Sequence, residues 1–130
     1  MPPRRPGREP AGRRSSAITS RVPKLGTDWG YRYEKFHRTA QAWATVGVAA
    51  LVRRSNGQAA EATVGMTGMA SVRIRAAAAG APATAGALHV AAASAAGGTQ
   101  PPADLHGAPD YRRHLARVLT GRALEAAAGV

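Results

Sequence analysis

The side chains in this sequence best suited to acid–base or metal chemistry are four histidines and seven acidic residues. Their spacing argues against both uses. His37, His89, His106 and His114 form no i, i+4 pair that would aim two imidazoles at one ion from a helix face. No histidine has a paired carboxylate nearby in the sequence, and the acids are scattered. The absence of cysteine excludes disulfides, cysteine-ligated zinc, iron–sulfur clusters and a thiol nucleophile. There is no G-x-G-x-x-G, Walker or G-x-S-x-G pattern. The glycines of "GMTGMA" at 65–70 lack the lysine and the helix of a phosphate loop, and mark a strand end and a bend instead.

One stretch does concentrate chemistry of another kind. "YRYEKFHRTAQAWATVGVAALV", residues 31–52, begins aromatic and basic and turns apolar after Gln41. Trp29, Tyr31, Tyr33, Phe36 and Trp43 stand beside Arg32, Lys35 and Arg38. Rings interleaved with cations can stack nucleic-acid bases. Every tryptophan, tyrosine and phenylalanine except Tyr111 falls between residues 29 and 43, so the same stretch serves equally as the core or the docking surface of a domain, and that is the favoured reading. The net charge of +11 keeps a small basic nucleic-acid-binding protein as the alternative. All 18 basic residues but Lys24 and Lys35 are arginine, which together with the abundant alanine, glycine and proline points to a GC-rich genome as one source of the charge. The longest apolar run, Ala42 to Val52, has 11 residues, against the roughly 20 that a membrane-spanning helix needs.

These side chains require a scaffold, and the chain is long enough for one small domain. Residues 1–16, MPPRRPGREPAGRRSS, hold five arginines and no large aliphatic residue, so they are expected to form a disordered basic tail ahead of a domain spanning 17–130. Ile18 to Val22, closed by Pro23, suggests a short edge strand. Tyr31 to Gln41 suggests one helical turn or an irregular crossing. Ala42 to Arg53 alternates with period two and predicts a strand, with Ala59 to Met66 and Val72 to Arg75 completing an antiparallel meander. Ala76 to Ala79 suggests a helical turn, and Pro82 to Ala96 an alanine-rich helix. After a proline- and glycine-rich loop, Pro109 and Asp110 suit the first turn of a helix. Tyr111, Leu115, Val118 and Leu119 recur at amphipathic spacing, carrying that helix to about Ala128. Strands followed by helices predict an α+β fold: a three-stranded antiparallel sheet packed on one face by C-terminal helices.

The hairpin between the first two long strands poses a register problem. A two-residue Asn56-Gly57 turn sets Ser55 opposite Gln58, and counting back places Val52 against Glu61. A shift of one residue sets Val52 opposite Ala62, Ala50 opposite Val64, Val48 opposite Met66, and Arg53 opposite Glu61. A slip exchanges the two faces, so burial should select the shifted register. The expected device is an odd-length loop with Gly57 left-handed beside a bulge. Val48, Val52, Val64 and Met66 would then face Leu115 and Leu119.

Three segments in order carry a resemblance: "YEKFHRTAQAWATVGVAALV", "NGQAAEATVGMTGMASVRIRA" and "DLHGAPDYRRHLARVLTGRAL". Together, over about residues 17–128, the chain resembles the C-terminal domain of the FAD-binding medium subunit of carbon monoxide dehydrogenase and related xanthine-dehydrogenase-type molybdenum hydroxylases. The resemblance implies a three-stranded sheet covered by helices. It also implies a cytoplasmic setting in which a larger domain holds most of the FAD and the subunit passes electrons between iron–sulfur and molybdenum partners and an acceptor. That larger domain is missing from this sequence, so the expectation is an isolated or truncated domain with a structural and docking role, no complete active site and no cofactor bound alone. A split subunit that docks onto a separately encoded FAD domain is a further reading. Tyr33, Lys35 and Arg38 match a stretch that runs close to the flavin domain, and Lys35 matches a lysine that can approach the FAD. Tyr111 and Arg112 match a tyrosine–arginine pair on the terminal helix. Tyr33, Arg38, Trp43, Tyr111 and Arg112 are the expected docking residues. Ala42 stands where many members carry an acid, Gly68 where the bend usually has asparagine, and Val72–Arg73 in place of a common Thr-Pro. These departures suggest drift or a truncated reading frame.

Overall fold

A computed structural model describes residues 17–70, 74–77 and 81–130. The N-terminal tail and the Val72–Arg73 departure lie outside the described residues.

The sheet is a meander in the order β1 (Trp29–Phe36), β2 (Val46–Ser55), β3 (Gln58–Thr67), β4 (Ile74–Ala77), each pairing antiparallel with the next. A two-residue strand, β5 (Ala81–Pro82), also pairs with β3. Two helices follow, α1 (Ala85–Ala93) and α2 (Pro109–Ala128). Strands before helices, with the helices on one face, is the predicted α+β arrangement, and the three-stranded meander β2–β3–β4 lies within the sheet.

The first strand corrects the sequence reading. Trp29–Phe36 is extended along β2, not a helical turn or a crossing, because every one of its residues has a ladder partner from Arg53 to Val46. The expected edge strand at Ile18 to Val22 does not form. Those residues have no regular structure, and Ile18 and Val22 are exposed. The second predicted strand starts late, at Val46, since a turn from Thr39 to Ala42 and a left-handed Gln41 occupy the preceding residues. Ala76 and Ala77 belong to β4 rather than to a helical turn, paired with Val64 and Thr63. Helix α1 begins at Ala85 because the Thr84 hydroxyl accepts a bond from the Ala87 amide.

The hairpin takes the shifted register by a device other than the expected one. Val52 faces Ala62, Ala50 faces Val64, Val48 faces Met66 and Arg53 faces Glu61. Yet Ser55 also faces Gln58, with Asn56 at φ 51° and Gly57 at φ 73°. Two successive left-handed residues are the signature of a two-residue hairpin turn whose twist suits the strands. The extra residue sits further on, between Arg53/Arg54 on one strand and Ala59 and Glu61 on the other, leaving Ala60 bulged. Turn chemistry and burial are both satisfied because the irregularity moves away from the turn.

Burial follows from that register. Val46, Val48, Ala50 and Val52 of β2 join Val64 and Met66 of β3 in one core with Leu88, Leu115, Leu119, Ala123 and Leu124. Small residues let α2 approach closely. A Cβ on Gly30 would overlap the Ala127 carbonyl, so β1 and the end of α2 meet backbone to backbone. The helix closes on Gly129 at φ 74°, and Arg54 Nη1 donates to the Ala128 carbonyl at 2.8 Å, capping an end that lacks a basic residue of its own.

Candidate functional site

Among the described residues, helices cover only one face of the sheet. Strand alternation sends Val46, Val48, Ala50 and Val52 toward the helices and Gly47, Ala49, Leu51 and Arg53 the other way. Their ladder partners on β1 are Lys35, Tyr33, Tyr31 and Trp29, and on β3 Thr67, Gly65, Thr63 and Glu61. The uncovered face therefore carries two tyrosines and a lysine over a floor of glycine, alanine and leucine. Tyr31 is 80 % exposed and Tyr33 is 56 % exposed. Tyr33 lies across Gly47: a Cβ there would stand 2.8 Å from the Tyr33 hydroxyl and 2.7 Å from Thr67 Oγ1. Arg53 and Glu61 form an ion pair at the far end, with Arg53 Nε 3.0 Å from the carboxylate.

The aromatic cluster of the sequence is thereby divided. Tyr31, Tyr33 and Lys35 share the open face. Phe36 turns to the helix side, packs against the core and meets Tyr111 edge-on, with ring centroids 6.2 Å apart. Trp43 lies in the loop after β1, 96 % exposed.

A second site forms where that loop meets the one before α2. A cavity of about 550 Å³ is lined by Arg38, Trp43, Thr45, Asp104, His106 and Arg112, among others. The Asp104–Gly107 turn shapes it, with Asp104 accepting from the His106 amide at 2.9 Å. The Arg112 side chain is 4 % exposed. Its Nη2 donates to both Asp104 oxygens, at 2.7 and 2.8 Å, and its Nη1 donates to the carbonyls of Thr45 and Gly68. Arg112 Nε is buried without a partner. The Arg112 guanidinium, then the His106 amide, hold the Asp104 carboxyl below its ordinary range. Gly68 has φ 77°, a region open to glycine and asparagine, and a Cβ there would overlap the Thr45 carbonyl.

Of the predicted site residues, Arg38, Trp43 and Arg112 come together at this cavity, and Tyr33 and Lys35 meet on the sheet face. Tyr111 stands apart from both, 43 % exposed above Gly107 and Phe36. The tyrosine–arginine pair is split between a half-exposed ring and a guanidinium turned into the domain. Sequence reasoning missed Asp104, because nothing local marks it as the partner of a residue eight positions on, across a loop. Among the described residues no group of three or more histidines and acids could hold a metal ion. Among the described residues Arg32, Arg53, Arg112 and Arg113 pair with Glu34, Glu61, Asp104 and Asp110. No helix of the described residues is long and apolar enough to cross a membrane.

Among the described residues the meander is backed by helices on one side, and on the other it carries exposed tyrosines over small residues. The chain belongs to the CO dehydrogenase flavoprotein C-terminal domain family, whose sequence profile it matches over residues 31–127. It is 32 % identical over 115 residues to the carbon monoxide dehydrogenase medium chain of Hydrogenophaga pseudoflava, covering 85 % of this chain and 40 % of that one. It is 34 % identical over 112 residues to the medium chain of Afipia carboxidovorans, covering 82 % and 39 %. The solved carbon monoxide dehydrogenase of Hydrogenophaga pseudoflava, in a form lacking the Mo-pyranopterin moiety of the molybdenum cofactor, matches with a TM-score of 0.76 at 34 % identity, over 82 % of this chain and 39 % of that one. The chain thus spans about 40 % of the length of the curated relatives it matches.

Proposed function

We propose that this domain is the docking half of a flavoprotein subunit. Its bare sheet face packs against a flavin-holding domain, and the whole serves electron transfer alongside iron–sulfur and molybdenum subunits in the cytoplasm. The observation that carries this reading is the exposure of Tyr31 and Tyr33 over Gly47, Ala49 and Leu51, on a chain matching about 40 % of its relatives. A contiguous apolar sheet face rimmed by charge is an interaction surface.

The face fits FAD as one wall and not as a container. Lys35 is exposed on it and offers a single ammonium to an anionic region of a flavin, while Tyr33, lying along the sheet, presents a flat ring. Neither encloses a dinucleotide, which calls for a phosphate cradle of backbone amides. FAD, when bound by the neighbouring domain, supplies the redox chemistry. This chain's residues contribute contact, orientation and exclusion of water.

The test is a hybrid. The stretch of the Hydrogenophaga pseudoflava medium chain that matches this protein is replaced by residues 17–130 of it, and flavin per chain is measured after gel filtration. A folded hybrid that retains flavin supports the reading. A folded hybrid without flavin overturns it.

A further inference from the structure

The cavity under Trp43 has a chemistry of its own. Arg38 is exposed at its wall, and among the described residues it has no acidic partner. Among those residues its one side-chain hydrogen bond is a long one, from Nη1 to the Leu105 carbonyl at 3.4 Å. Asp104 lines the same cavity, but both of its oxygens are held by Arg112, so its charge is already matched. His106 adds a second nitrogen-bearing side chain. Two large apolar groups flank the Arg38 guanidinium with almost no cover: Trp43 is 96 % exposed, and Leu105, between two lining residues, is 94 % exposed. Tryptophan and arginine are both enriched among the residues at the energetic centre of protein interfaces.

We infer that this cavity receives an acidic side chain from a partner polypeptide, with a bulky apolar neighbour of that residue closing over Trp43 and Leu105. The occupant is not a second copy of this chain. A net charge of +11 repels self-association, and only seven acids are available to answer 18 cations. An acidic segment of a different chain, with an apolar neighbour, answers both the free guanidinium and the bare apolar groups. The inference rests on the docking reading above and gives one of its contacts a chemistry, but it concerns a surface other than the sheet face and is tested without flavin. Loss of flavin from the hybrid and failure of peptide binding are therefore separate results.

The experiment titrates the full chain with two acetylated, amidated pentapeptides, Gly-Leu-Glu-Leu-Gly and Gly-Leu-Gln-Leu-Gly, and with sodium propionate. The readout is the indole N–H signal of Trp43, one of two tryptophans in the chain, assigned with Trp43→Phe. The glutamate peptide should give a saturable shift with a Kd below about 1 mM. The glutamine twin should bind at least about tenfold more weakly, the difference a desolvated charge pair supports. Arg38→Gln should abolish that preference, and Trp43→Ala, followed through the backbone amide signals of Leu105 and His106, should weaken both peptides with the fold intact. Equal affinity for the two peptides, an unchanged preference in Arg38→Gln, propionate as effective as the glutamate peptide, or no saturable shift at about 10 mM each overturns the proposal. Should a variant misfold, the comparison of the three probes on the unaltered chain still decides it.

Discussion

Arg112 grips Asp104 with both carboxylate oxygens on one nitrogen, at 2.7 and 2.8 Å, while its other terminal nitrogen serves the Thr45 and Gly68 carbonyls. One buried cation thus fastens the N-terminal part of α2 to the start of β2, the bend after β3 and the loop before itself. Replacing it leaves two carbonyls and a carboxylate without their donor. Arg112→Met should cost about 3 kcal/mol in urea unfolding. Asp104→Asn should lose less, since the two carbonyl contacts survive. Equal losses would show that the carboxylate, and not the carbonyls, anchors the guanidinium.

The same pair gives the domain an acid limit. Asp104 titrates below its ordinary value of 3.8 in the folded protein, chiefly through the hydrogen bonds from Arg112. A group depressed on folding adds stability above its unfolded pKa and loses it as pH falls through the folded pKa. Stability should therefore decline as pH drops below about 4, with a shallower decline in Asp104→Asn. Chemical denaturation of both proteins between neutral pH and the acid limit measures it. Parallel curves would remove Asp104 from the account.

The two faces of β2 should respond very unequally to one substitution. Val52 is fully buried toward the helices, so Val52→Asp places an unpaired charge in the core and should abolish cooperative unfolding. Leu51 is its neighbour on the bare face, and Leu51→Asp should cost about 1 kcal/mol or less. Thermal melts of the two variants check this, and similar damage from both would place the core on the wrong face.

Thr120 carries a buried hydroxyl with no hydrogen-bond partner. Removing an unsatisfied polar group at constant shape recovers its desolvation cost, so Thr120→Val should leave stability unchanged or raise it by about 1 kcal/mol. Urea midpoints of the two proteins decide it, and a clear loss would reveal a partner for the hydroxyl.

Much of this architecture was legible where one periodicity governs a long segment. The α2 helix begins at Pro109 and ends at Ala128 because its apolar spacing, its N1 proline and the terminal Gly129 all agree. The β2–β3 register followed from burial, although the turn kept its own preferred form and Ala60 absorbed the mismatch. Strand β1 was not legible. Its open face carries Tyr31 and Tyr33 and its helix-side face carries Arg32 and Glu34, so no hydrophobic alternation marks it, and pairing with β2 alone makes it extended. Arg112 stands with Tyr111 among the expected docking residues, and only the fold shows its guanidinium turned inward. Lys35 and Tyr33 share a face because alternate residues of any strand do.

The central claim is that the bare sheet face is a docking surface for a flavin-holding domain. The most direct measurement compares flavin content in the medium-chain hybrid with and without Leu51→Asp, alongside the melting temperature of the same substitution in the isolated chain. The account predicts that the isolated chain melts nearly as before while the substituted hybrid loses its flavin. Undiminished flavin in the Leu51→Asp hybrid would contradict it.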